Sequence, residues 1–336
     1  MTNLGNVTKI GTGLSRPESV LANRQGDFFV SHRGHGVCRI AADGKQYLMA
    51  PYSRYLGEEI IPNGIALLDD GSFLIANISD AGGIHLLDAD GIRPFVTEIE
   101  GDCCPPVNFV TVDETDRIWF TVSSTFSPRH LAYRRDIANG FIGVIENGVA
   151  RIVASGLHYV NEIRPDPENG WLYVNETFAQ KISRFQLNKD GSLGRKEDFC
   201  QFPKGAFVDG ISLDRNGNIL AACIVSNELY HVQPNSRPVP ILAERIDEWI
   251  VEVELALDNG EMNRIHFDQA PTKILRNIAS VAFHGNNLDQ LVCGCLLGDH
   301  LVSIPAPVKG RQPVHWNVIS PEWGKEFNFQ EGSASS

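Results

Sequence analysis

One pattern recurs six times along the 336-residue chain, and it restricts the fold more than any other feature. A polar residue, often followed by glycine, opens an alternating apolar stretch; a turn of the Asp-x-x-Gly kind follows, then a second apolar stretch. The second copy, Pro62–Asn77, shows it most clearly, and Pro17–Val30, Val107–Phe120, Val160–Val174, Val208–Ala222 and the weaker Ala279–Val292 repeat it. The lead residues stand at 18, 63, 108, 161, 209 and about 279, in steps of 45, 45, 53, 48 and about 70. A period near 45 with short strands and glycine turns is one four-stranded antiparallel blade. The expected fold is therefore all-β: a six-bladed β-propeller around a central channel. Two β-sandwiches are the competing architecture.

The repeat spans the chain, so residues 1–336 read as one domain. The long last step implies an insertion at about 234–277, where Ile246–Leu255 suggests a hairpin, or a short helix plus a strand. Val7–Ile10 precedes the first copy and is placed to complete the last blade and close the ring. The tail 325–336 ends in small polar residues and is expected to be flexible. A net charge of −12 with no basic run argues against a nucleic-acid surface. No apolar stretch approaches the roughly 18 residues of a membrane span. The first residues carry no signal-peptide pattern, and seven cysteines form no disulfide framework, so a cytoplasmic location is expected. The expected partner is a small molecule, and oligomeric state has no signal in the sequence.

In a propeller the first strand of each blade lines the channel, so equivalent positions meet around the axis at one height. Glu18, Asn108, Asn161 and Asp209 would then converge, bringing two carboxylates and two amide carbonyls together. Carboxylates gathered in a narrow channel repel one another and are costly to desolvate. A hard divalent cation held by these four oxygen donors removes the conflict; Ca²⁺ suits them best, with Zn²⁺, Mn²⁺, Mg²⁺ and Fe²⁺ as alternatives. Asn63 reads better as a turn residue than as a ligand. Glu18 discriminates, because glutamate is a poor turn former.

With Arg16-Pro-Glu18, Val107-Asn108, Val160-Asn161, Leu172–Thr177 and Val208-Asp-Gly210 in order at blade spacing, the chain resembles the senescence-marker-protein, gluconolactonase and luciferin-regenerating-enzyme family over about residues 14 to 304, and more distantly diisopropyl-fluorophosphatase. The resemblance implies a six-bladed propeller with a divalent cation in its channel. It implies Glu18, Asn161 and Asp209 as ligands, Asn108 as ligand or substrate contact, and Asp209 as general base or nucleophile of a lactone hydrolysis. Sugar-lactone members often carry Arg shortly before the third-blade Asn and Asp just after it; Pro106 and Phe109 stand here, which suggests a partly apolar ring as substrate. In the fourth blade Glu162 replaces the usual glycine and is expected to point away from the channel.

The function expected is thus a metal-dependent hydrolase of a lactone or related ester. The alternatives are a non-catalytic binding propeller with a structural cation, or a non-hydrolytic reaction at the same site. Asn108, Phe109, His32 and His158 are the candidate substrate contacts. The insertion Ser123–Ala138, with His130 and Tyr133, is a candidate lid, and Cys103-Cys104 a candidate part of the pocket wall. No Gly-x-Ser-x-Gly elbow occurs, so a serine-hydrolase triad has no support.

Overall fold

The computed structural model describes residues 2–327. Six antiparallel blades surround a channel, each beginning with its innermost strand. Blade 1 opens with Val20–Ala22, blade 2 with Pro62–Leu67, blade 3 with Phe109–Val112, blade 4 with Val160–Asp166, blade 5 with Ala206–Leu213 and blade 6 with Ile278–His284. The turn after each first strand explains its sequence signature. Asp113 Oδ1 accepts from the backbone N–H of Thr115 and Arg117, Asp214 Oδ1 from those of Asn216 and Asn218, and Asn23 Oδ1 from those of Gln25 and Asp27. Side-chain oxygens thus satisfy the turn donors, which is why Asp or Asn leads these hairpins, whereas Leu68 and His284 stand at that place in blades 2 and 6.

The ring is closed by both ends of the chain. Thr8–Ile10 pairs antiparallel with Leu301–Ser303 as the outer strand of blade 6, removing an open edge. After blade 6 the chain crosses the channel end that carries the Asp turns. There Arg311 Nη1 pairs with Asp166 of blade 4 at 2.6 Å, and Asn23 Nδ2 of blade 1 donates to Val318 O and Ser320 Oγ. The tail then begins with a fifth strand on blade 1, Lys325–Phe327 against Gln46–Leu48, where flexibility was expected; its remainder lies outside the described residues.

The insertion before blade 6 contains helix α1, Asp247–Asp258, and the short helix α2, Ile265–Asp268, with no strand between them. The alternation in Val251–Leu255 misleads: Ile250, Val253, Ala256 and Leu257 are buried at helical spacing, while Val251 and Leu255 face solvent. Glu254 ties α1 down, accepting from Gln180 Nε2 and Gly205 N and pairing with Arg135 of the third-blade insertion. No helix among the described residues is long and apolar enough to cross a membrane.

Neighbouring first strands touch at the position just after each lead residue. A Cβ on Gly64 would lie 2.7 Å from Phe109 Cα, and one on Gly210 would lie 2.6 Å from Ser280 Cα. Phe109 lies under the Arg164 guanidinium at 5.1 Å, Glu162 Oε2 accepts from Ile211 N, and Ser280 Oγ donates to Glu18 O. The glycine of the Asn-Gly and Asp-Gly pairs is therefore required by blade-to-blade approach, and larger residues at that position span the same gap.

Burial holds several imidazoles neutral, and His315 is shifted in the same way as the two described next. His32 and His85 are 5% and 7% exposed, and desolvation lowers each pKa from 6.5 to about 4. An unfolded chain takes up these protons near pH 6.5 and the folded one only near pH 4, so their contribution is complete above pH 6.5 and is lost as pH falls between those values. Urea denaturation should show stability falling from pH 7 to pH 4.5, and His85→Leu should reduce that fall by about 2 kcal/mol.

Candidate metal and active site

A backbone irregularity aims the lead residues inward. In blades 2, 4, 5 and 6 the pairing of first and second strands slips at Pro62/Ile65, Val160/Ile163, Val208/Gly210 and Ile278/Ser280, each time around the lead residue. Bulges of this kind release a residue from the ladder and redirect its side chain. Glu18, Asn63, Asn108, Asn161 and Asp209 accordingly line one small cavity of about 40 Å³ on the channel axis. All five are buried.

The cavity is cross-linked by amides. Asn108 Nδ2 donates to Asn161 Oδ1 at 2.5 Å, Asn63 Nδ2 donates to Asn108 O at 2.9 Å, and Asn161 Nδ2 reaches Thr177 Oγ1 at 3.4 Å. The carboxylates are less well provided for. Among the described residues, no hydrogen bond or ion pair reaches the Asp209 side chain, which is 4% exposed. Its pKa is raised well above the usual carboxylate range, first by burial and then by Glu18 and Glu162. Glu18 Oε2 lies 2.5 Å from Arg16 Nη2, but in a geometry that makes no hydrogen bond; Asn63 Oδ1 is also buried without a donor. A buried carboxylate without a partner, beside other oxygens lacking donors, is a donor set suited to a hard cation. Among the described residues no three His, Cys, Asp or Glu side chains are grouped so as to hold a metal ion, and here only two carboxylates stand among three amides.

Glu162 does not turn to solvent. It is buried between blades 4 and 5, where it meets Arg164 at 3.1 Å, and burial raises its pKa to about 7.

The roof draws on the two insertions and on blades 4 to 6. Tyr159, Phe178, Ile224, Phe267 and Leu296 form its apolar side, with Tyr159 and Phe178 ring centroids 4.8 Å apart and Tyr133 against Phe267 at 5.4 Å. Arg16 and Tyr159 each stand two residues before a lead position with left-handed backbone, φ 51° and 54°. This is a strained state for non-glycine residues that occurs preferentially at functional sites. Arg129, from the third-blade insertion, donates through Nε and Nη2 to the Tyr159 hydroxyl and through Nη2 to Asn108 Oδ1 at 3.0 Å. Arg16, Arg129 and Arg264 also line the floor of a wider vestibule of about 850 Å³ opening above the cavity.

Of the residues singled out by sequence, Glu18, Asn108, Asn161 and Asp209 share the cavity, and so does Asn63, which had read as a turn residue. Three candidate substrate contacts lie elsewhere. Phe109 packs between blades because the strand turns it away from Asn108's side. His32 packs against His35 and Phe327 within blade 1. His158 lines neither cavity; its backbone N–H is held by Glu176, and Tyr159 enters the site instead. Cys104 is buried in the core between blades 2 and 3 and Cys103 is exposed, so neither lines the pocket. His130 and Tyr133 do border the vestibule. Sequence reasoning missed Arg129, Tyr159, Arg264 and Phe267; the only signal for the two arginines was that each lies in an insertion.

The model of the SMP-30/gluconolactonase/LRE-like region matches residues 16–241. The chain belongs to this family. The match covers every lead position of blades 1 to 5. No curated protein matches the chain in sequence. Similar solved structures include a luciferin-regenerating enzyme (14% identity, 92% of this chain and 98% of that one, TM-score 0.66). A gluconolactonase from Xanthomonas campestris is similar at 17% identity over 90% and 89% of the two chains, with TM-score 0.65. The calcium-binding protein regucalcin from Agrobacterium tumefaciens is similar at 15% identity over 90% and 95%, with TM-score 0.60. At these identities the likeness is one of fold.

The unpaired Asp209 carboxylate has a measurable cost to this family member. A carboxyl with raised pKa stabilises the fold fully in acid and loses that contribution as pH rises, whereas an amide is neutral throughout. Metal-free Asp209→Asn should therefore be more stable than the metal-free parent at pH 8, by at least about 1 kcal/mol, and the gain should shrink in acid. Thermal unfolding in excess chelator at both pH values checks this.

Proposed function

We propose that the protein is a divalent-metal-dependent hydrolase of a lactone or related ester with a partly apolar ring. One observation carries the reading: Asp209, a buried carboxylate with neither hydrogen bond nor ion pair, stands among oxygen donors from four other blades, under a vestibule wide enough for a small molecule. Family membership and the gluconolactonase among similar folds support the same reaction class. Glu18, Asn108, Asn161 and Asp209 would hold the cation, with Ca²⁺ the first choice for an all-oxygen set. When bound, such a cation supplies Lewis-acid polarisation of the ester carbonyl.

The remaining work falls to the chain itself. Asp209 either takes a proton from the water that adds to the carbonyl carbon, the acyl C–O bond then breaking and the departing alkoxide receiving that proton, or itself adds to that carbon with loss of the same alkoxide, leaving a mixed anhydride that water opens to regenerate the carboxylate. Asn108, fixed by Arg129 and Asn161, orients the substrate oxygen. Tyr159, Phe178, Ile224 and Phe267 exclude water from one side of the ring and favour an apolar face over a polyhydroxylated one.

A panel of aliphatic, aromatic and sugar lactones and esters, run on metal-depleted protein with single added cations, tests this. Turnover should need a cation, should favour lactones with apolar substituents over gluconolactone, and should fall by at least about 10³-fold in Asp209→Ala. Undiminished turnover in that variant, or no cation dependence, would remove the proposal. The regucalcin likeness supports a second reading, a calcium-binding propeller without turnover; a protein that is stabilised by Ca²⁺ yet inert on the whole panel would favour it.

A further inference from the structure

Three guanidiniums converge where the small cavity opens into the vestibule, and Arg16, Arg129 and Arg264 line both spaces. They come from three separate segments: the stretch before blade 1, the insertion in blade 3 and the insertion before blade 6. Each has part of its hydrogen-bonding capacity committed. Arg16 Nη2 faces Glu18, Arg129 uses Nε and Nη2 on the Tyr159 hydroxyl and Asn108, and Arg264 uses Nε and Nη2 on Asp268. In every case Nη1 is left over: no hydrogen bond among the described residues uses it, and Arg16 Nη1 is buried besides.

Without a bound cation, Glu18, Asp209 and Asp268 match the three arginines in number; a cation on the two cavity carboxylates leaves a positive excess. Two carboxylates, Glu18 and Asp209, face the cavity with the three arginines. Asp268 compensates Arg264, and Glu162 lies in the wall paired with Arg164. Arg129 has only neutral partners, a phenol and an amide. If Glu18 and Asp209 are engaged by a cation, Arg16 also loses its counter-charge. The vestibule's other acids do not supply the deficit: Glu59 pairs with Arg33 at 3.4 Å, and Glu58 and Asp80 border the vestibule but not the inner cavity where the guanidiniums meet. Guanidinium donors left free around a partly desolvated cavity match an oxyanion, whose lone pairs take such donors well.

We propose that Arg16, Arg129 and Arg264 form an anion-recognition floor, so that the substrate carries a carboxylate or phosphate group beside the apolar ring that faces Phe178 and Phe267. This deepens the hydrolase reading and rests on the same site being where substrate sits. The arginines here are binding residues; the reacting ester lies toward Asp209, and its anionic substituent toward the vestibule floor.

Titration calorimetry with benzoate, phenyl phosphate and the neutral isostere benzamide tests this without requiring turnover, in protein with excess Ca²⁺ and in chelated protein. The parent should bind benzoate or phenyl phosphate at least about tenfold tighter than benzamide. Whichever of the two binds tighter identifies the group. Arg129→Met and Arg264→Met should each remove most of that preference, read as the ratio of anion to benzamide affinity, the second variant serving if loss of the Tyr159 and Asn108 contacts unsettles the first. Binding of both benzoate and phenyl phosphate no tighter than benzamide would overturn the proposal. So would a preference that needs Ca²⁺ and survives both substitutions, since the cation alone would then be attracting the anion. An anion preference in a protein inert on every ester would sink the hydrolase reading and leave this one standing.

Discussion

The first strands of six blades meet around one axis so closely that a single methyl group would collide with the neighbouring backbone at two of the six contacts. That crowding organises the molecule. It demands glycine at Gly64 and Gly210, lets Phe109 and Glu162 reach across to the next blade, and joins blade 6 back to blade 1 through Ser280 and Glu18. Because the ring is closed by side chains immediately after the lead positions, the lead residues themselves are held at a common height. Bulges at four of those positions turn Asn63, Asn161 and Asp209 into the channel beside Glu18 and Asn108. Packing and site are one arrangement seen from two sides.

The same crowding sets the electrostatics. Asp209 sits where neither water nor a hydrogen-bond donor reaches it well, and Glu18 and Glu162 oppose its ionisation. A structure that only needed stability would place an amide or an apolar residue there, because a buried unpaired carboxylate is costly. The cost is characteristic of sites in which a group must be available for a ligand rather than satisfied by the fold. The arginines above it keep unused donors, and the two together give the channel mouth a polarity along its axis: carboxylates below, guanidiniums above.

The circular arrangement was legible in the sequence because the repeat survives in the first two strands of each blade, and Glu18, Asn108, Asn161 and Asp209 occupy equivalent places in it. Phe109 was misjudged because a spacing reading does not reveal that the residue after the lead belongs to the blade-to-blade contact; Glu162, at the same place in its blade, points away from the channel as expected. His158 was preferred over Tyr159 because left-handed backbone at a non-glycine residue leaves no trace in composition. Arg129 and Arg264 lie in segments that have no counterpart in other blades, so nothing in the repeat marks them. The helix Asp247–Asp258 was obscured by a run of alternating valine and glutamate that fits either period over so short a stretch.

The central claim is that oxygen-bearing side chains from separate blades hold one divalent cation on the channel axis. Anomalous diffraction from crystals grown with Mn²⁺ tests it most directly. The account predicts a single strong peak on the axis, within about 2.6 Å of oxygens from Glu18, Asn161 and Asp209. An empty axis, or a peak held by the surface carboxylates instead, would contradict it.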